Sequence, residues 1–218
     1  MKKLIFRTLT GCLLATVIIW GIGCDKTYYA IWEMLGKEKR HLLSDNVQEA
    51  QAEQTRASEQ FKDALTRLKE MYGFQGGDLE EFYKKLNSDY ELCEKRADDV
   101  SGRIKKVEEI AAALFMEWEN ELNEISNQQL KEKSSQALET TKGRYTKLHD
   151  AMTKAESSMK PVLTNLNNYV LYLKHNLNAQ AIGSLKREVD SIESDIQVLV
   201  RDISKSVKEA EDFLKNIK

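Results

Sequence analysis

A single proline and ten glycines in 218 residues are too few to punctuate a chain built of short elements, so compact mixed folds with frequent turns are disfavoured. The glycines collect at the start of the chain and at residues 73–77. Few turns mean few, long elements. The three histidines, His41, His149 and His175, fall in separate stretches with no second His or Cys at ligand spacing, which argues against a zinc centre. Residues 73–77 lack the Lys-Ser/Thr that a phosphate-binding loop requires and follow no strand, so they read as a turn. No Gly-x-Ser-x-Gly elbow is present. The abundant carboxylates alternate with bases, as in Lys105, Lys106, Glu108 and Glu109, which describes a solvated helix face rather than a catalytic pair. We therefore expect no catalytic residue, no metal and no cofactor, and a protein that is not an enzyme.

What is present is a chain that is 41% hydrophobic and 31% charged, the balance of long amphipathic helices. Its formal charge is -2. Without Lys2, Lys3 and Arg7, 30 basic residues face 35 acidic ones, a net of about -5, so nucleic acid is not an expected partner.

Residues 1–23 carry Lys2 and Lys3, an apolar stretch from Leu9 to Ile22 and small residues before Cys24. This is the pattern of a secretory signal peptide. The apolar stretch is shorter than the roughly 18–20 residues of a permanent membrane helix, although a retained span is the other reading. Gly21-Ile22-Gly23-Cys24 resembles a bacterial lipobox, in which the thiol becomes diacylated and, with a third chain added later, holds the protein on the membrane. The aliphatic residue usual three places before the cysteine is replaced by Gly21; a plain signal peptide with a free Cys24 is the alternative. Asp25 resembles the inner-membrane retention signal of enterobacterial lipoproteins. The expected location is the cell envelope of a Gram-negative bacterium, membrane-anchored and facing the periplasm, with the inner membrane favoured.

Loss of Cys12 with the leader and acylation of Cys24 would leave Cys93 alone, so no intramolecular disulfide would form. Cys93 lies on an apolar stripe and reads as a small buried thiol. After the anchor come Tyr28, Tyr29 and Trp32, then Lys37, Lys39 and Arg40. Rings followed by bases suit a headgroup interface; packing of these rings on the end of a bundle is the other reading.

From residue 43 onward, apolar residues recur at three-four spacing. The first stripe runs through Leu43, Val47, Ala50, Ala57, Phe61, Ala64, Leu68 and Met71, broken only by Gln54. Asp78 followed by Glu81 reads as a capping box after a turn near 73–78. The second stripe contains Leu79, Tyr83, Leu86, Tyr90 and Cys93 and continues to Trp118. It fails between 126 and 135, which predicts a second turn, or else a continuous helix with a shifted register. The third runs from Leu138 to Leu173 with Thr141 in the seam and Pro161 inside it, where the helix should kink or restart. The fourth runs from Ile182 to Ile217, interrupted by Ser206, with a break expected near 176–183. The fold class is therefore all-α, an elongated antiparallel helical bundle or coiled coil of long helices. A protein partner or homodimer is expected along its seams, and a monomer is also compatible. His175, Asn176, Asn178 and Gln180 form a polar cluster that no solvent face explains, either a contact surface or a hydrogen-bonded helix junction.

Tyr28-Tyr29-Ala30-Ile31-Trp32-Glu33, then Gly36-Lys37-Glu38-Lys39-Arg40, and Leu173-Lys174-His175-Asn176-Leu177-Asn178-Ala179-Gln180-Ala181-Ile182 resemble the hallmarks of a bacterial family known only as a domain of unknown function. The resemblance implies an exported, often lipoprotein-like helical protein of mainly Gram-negative bacteria, and it carries no activity with it. The expectation is a membrane-tethered helical scaffold or interaction protein, with membrane lipid held through Cys24. A membrane-shaping or membrane-inserting helical module is the alternative.

Overall fold

The structure, a computed structural model, describes residues 38–71 and 79–217. Six helices follow in order: α1 Lys39–Glu70, α2 Leu79–Glu124, α3 Gln128–Ser157, α4 Met159–His175, α5 Ala179–Lys186 and α6 Val189–Asn216. No strand occurs among the described residues, and the chain there is an all-α helical bundle. The 46 residues of α2 make a rod of about 69 Å.

Cross-helix pairs give the direction of every rod. As residue numbers rise in α1 they fall in α2: Lys39 meets Glu117, Glu53 meets Arg96 and Arg67 meets Asp89. The same reversal relates α2 to α3 through Glu108 with His149 and Glu119 with Lys142. It relates α3 and α4 to α6 through Lys154 with Asp202 and Asn165 with Asp195, and α1 to α6 through Gln54 with Ser206 and Lys69 with Glu193. Four antiparallel columns result, with α3 and α4 sharing one and α5 leading into α6 in another. α1 packs on α2 and α6, and the α3–α4 column packs on the same two from the opposite side.

The core follows most of the predicted seams, although in the second Tyr90, Ala97 and Trp118 are only half-buried and Ile110, off the predicted stripe, is fully buried. Leu43, Val47, Ala50, Ala57, Phe61, Ala64, Leu68 and Met71 are all buried, as are Ile192, Ile196, Leu199, Ile203 and Phe213 of α6. The third seam stays buried across Pro161, through Ala155, Met159, Val162 and Leu166. The proline has no N–H to donate back to the preceding turn, and the helix breaks nearby, at Ser158. One column in two pieces keeps the stripe in register.

Four sequence expectations need correction. The helix starts at Lys39 rather than at 43, and Leu42 joins the core beside Leu43. In the first turns of α2, Phe82 is buried and Tyr83 only half-buried; the wholly apolar ring takes the core side. The turn expected over 126–135 occupies only the residues between Glu124 and Gln128, because Asn127 caps α3 by accepting from the Leu130 N–H at 3.1 Å. Its polar first turns are helical but lie where α2 and α3 run on past the start of α1, so among the described residues fewer neighbours demand an apolar stripe. The break expected over 176–183 spans 176–178, leaving Gln180 and Gly183 inside α5, and a further break falls at Arg187 and Glu188. The turn near 73–78, with Asp78, lies outside the described residues.

The bundle thus has a near end, with the start of α1, the α2–α3 turn and Ile217, and a far end, with the α4–α5 turn. Lys39 sits level with Glu117, so the seven residues from Trp118 to Glu124 carry the α2–α3 hairpin about 10 Å beyond α1.

Candidate functional site

The two polar interruptions of the apolar seams meet each other. Gln54 of α1 and Ser206 of α6 are both fully buried, and the Ser206 hydroxyl donates to Gln54 Oε1 at 2.7 Å. Gln54 Nε2 points across the bundle to the Met152 carbonyl of α3 at 3.5 Å. A side-chain amide at a seam position is costly unless partnered, and here one residue ties three of the four columns together.

Around it lies a belt of ionised groups. Glu53, 8% exposed at its side chain, is gripped by Arg56 from its own helix and by Arg96 of α2 at 2.9 Å. Asp202, 7% exposed, takes Lys154 Nζ at 3.3 Å, and its Oδ2 lies 2.7 Å from the Ser158 hydroxyl. Ser158 is the residue at which α3 breaks from α4, so the break is fastened to α6 by a hydrogen bond to a charged group. Among the described residues every buried side-chain nitrogen or oxygen has a partner. No group of three or more His, Cys, Asp or Glu that could hold a metal is found among them.

The other candidates separate clearly. Cys24, Tyr28, Tyr29, Trp32 and Lys37 lie outside the described residues. Lys39 has a side chain only 11% exposed and pairs with Glu117 at 2.8 Å; Arg40 is exposed and pairs with Glu38 at 3.2 Å. Asn176 and Asn178 build a capped junction. Asn176 Nδ2 donates to the Tyr172 carbonyl at 2.9 Å, and Asn178 Oδ1 accepts from the Ala181 N–H at 3.0 Å. His175 and Gln180 are exposed beside it. An open cleft of about 460 Å³ lies between α2 and α3 at the near end, lined by Glu119, Leu122, Lys131 and Glu132 among others. It is the gap between the two helices of the projecting hairpin, and its charged groups face solvent.

Burial pushes the Cys93 thiol up from 9.0 to about 12, with Asp89 and Asp63 adding to the effect. The thiol is fully buried, 3.6 Å from the Gln60 carbonyl, which makes it a core group with little thiolate at neutral pH. Tyr145 is likewise raised from 10.0 to about 12, first by burial and then by Glu108; its ring lies 5.5 Å from that of Phe115 and 6.3 Å from that of Phe213. Both groups fold with a raised pKa, so the stability they contribute is full below their unfolded values and is lost as pH climbs toward 12. Urea titrations at pH 8, 10 and 11.5 should show falling stability across that window, and Tyr145→Phe should flatten the part above pH 10.

Fold and polar layer together define an all-α antiparallel bundle of four columns, closed by packed seams and one buried hydrogen-bonded layer. Over residues 28–217 the chain matches the family described as Protein of unknown function (DUF2959), and it belongs to that family. No curated protein matches the chain. Membership of a family of unknown function is what the sequence led us to expect, and the match carries no activity. No helix among the described residues is long and apolar enough to cross a membrane.

Proposed function

We propose that this protein is a membrane-tethered, non-enzymatic helical scaffold of the bacterial cell envelope. An acylated Cys24 holds it to lipid, facing the periplasm, and its long outer faces meet a partner protein or a second copy. The observation that carries this reading is the leader of residues 1–23 ending in Gly21-Ile22-Gly23-Cys24, ahead of a bundle whose longest helix runs about 69 Å. The polar layer supports the same reading, because it locks the columns against sliding and makes the rod a fixed spacer.

The test is intact mass and membrane partition of the wild type against Cys24→Ala. The wild type should carry two or three acyl chains and sediment with membranes, and the variant should lose both. An unmodified, soluble wild type would overturn the tethered reading and leave a freely diffusing bundle.

A further inference from the structure

The far end differs chemically from the rest of the bundle. Residues 157–187, which run from the α3–α4 break through the far end, contain Lys160 near the break and Lys174, Lys186 and Arg187 toward the far end, and not one Asp or Glu. At the chain-wide frequency of 35 acids in 218 residues, a stretch of 31 would hold about five. The same stretch exposes Leu171 (49%), Tyr172 (38%) and Leu177 (41%), three of the seven large hydrophobic residues exposed among those described. The other four are scattered over α2, α3 and α6, as single exposed hydrophobics usually are.

Topology puts these three together at an extremity. Leu171 and Tyr172 are in the last turns of α4, and Leu177 is in the turn that reverses the chain into α5. Tyr169 Oη donates to the Glu188 carbonyl at 2.9 Å, and Lys69 pairs with Glu193; the rest of α4 and all of α5 therefore run on past the last turn of α1. At the junction Asn176 and Asn178 are both engaged with the backbone, and its apolar side chains are exposed. Among the described residues, the acids near it come from the ends of α1, α2 and α6. Glu188 and Asp190 are exposed at the start of α6, whereas Glu80 and Glu81 of α2 are each paired with a lysine one turn on, at 2.7 Å.

We propose that this α4–α5 tip docks on an anionic lipid surface, its Leu171, Tyr172 and Leu177 side chains entering the headgroup layer and the exposed Lys174 and Arg187 meeting phosphates. Complementarity of charge favours an anionic occupant. Three half-exposed side chains on a projecting turn fall far short of the roughly 20–30 residues a side that a stable protein interface needs, whereas a lipid surface requires no matching shape and accepts rings and leucines flanked by bases. A second copy about a two-fold axis would oppose like lysines. The inference does not depend on acylation of Cys24.

The test uses the full chain with Cys12→Ala and Cys24→Ala and a polarity-sensitive dye on His175→Cys, an exposed position inside the patch; Cys93 is buried and stays unlabelled. A matched chain carries the dye on Lys133→Cys in the α2–α3 hairpin. Adding phosphatidylglycerol vesicles should shift the emission at 175 to the blue. Phosphatidylcholine vesicles should not, and the dye at 133 should not respond. Leu171→Ser/Tyr172→Ser/Leu177→Ser and Lys174→Glu/Arg187→Glu, with helicity unchanged, should each weaken the response about tenfold or more. No shift at 175 with either lipid, or an equal shift at 133, would overturn the proposal. A response to polyglutamate but not to vesicles would also overturn it and assign the tip to an acidic protein.

Discussion

Phe61→Ala should cost the bundle about 3–5 kcal/mol, the largest loss expected from truncating any one side chain of the α1 seam. Phe61 is fully buried, midway along that seam with Ala57 and Ala64 buried on either side of it. Those neighbours are too small to collapse into the space left by a phenyl ring, so the transfer loss and the cavity penalty add. In a chain of this length the midpoint of thermal unfolding should fall by roughly 10 °C. Met116→Ala provides the contrast: that side chain is 62% exposed, and removing it should change stability by no more than about 0.5 kcal/mol. Denaturant titration of the two variants checks both values. A Phe61→Ala loss as small as that of Met116→Ala would mean that the α1 seam is not packed as described.

The second large effect is expected in the polar layer. Ser206→Ala removes the donor to Gln54 Oε1 and leaves a buried amide oxygen unsatisfied, at about 1–3 kcal/mol. Gln54→Leu combined with Ser206→Ala should be less harmful than the two single losses added together, because the apolar pair leaves no buried amide to satisfy. A double-mutant cycle should therefore return a coupling of about 0.5–3 kcal/mol. Additive losses would show that the 2.7 Å contact contributes nothing in solution. If the layer also fixes how the columns register, the double variant should gain stability relative to the sum yet populate more than one association state, readable by light scattering.

Most of the core could be named from spacing alone. Every residue predicted for the α1 stripe, and Ile182 through Ile217 in the last stripe, is buried, because a three-four period on a long helix leaves only one side on which to hide apolar surface. Gln54 and Ser206 were visible as interruptions, but not as partners. They lie 152 positions apart, and nothing local says which column faces which. The same holds for Glu53 with Arg96 and for Ser158 with Asp202: each is one of many charges or hydroxyls in sequence, and only antiparallel packing singles it out. The extent of the 126–135 break was misjudged because loss of an apolar stripe looks alike in a turn and in a helix with few neighbours. The far-end tip was legible in part. The polar cluster around His175 marked the place, and the absence of acids from 157–187 could have been counted, but exposure of Leu171, Tyr172 and Leu177 could not.

By itself the sequence determined the class of the protein. Scarce glycine and proline, clean apolar periodicity and balanced charge oblige the chain to form long helices that bury one side each, since no other arrangement satisfies both the backbone and the stripes. The tertiary structure decided which sides meet. Helix pairing is chosen by long-range packing and by the partners that buried polar groups must find, and neither is written in any local window. That is why the union of Gln54 with Ser206 across three columns, and the gathering of leucine, tyrosine and lysine at one projecting turn, came into view only when the rods were assembled.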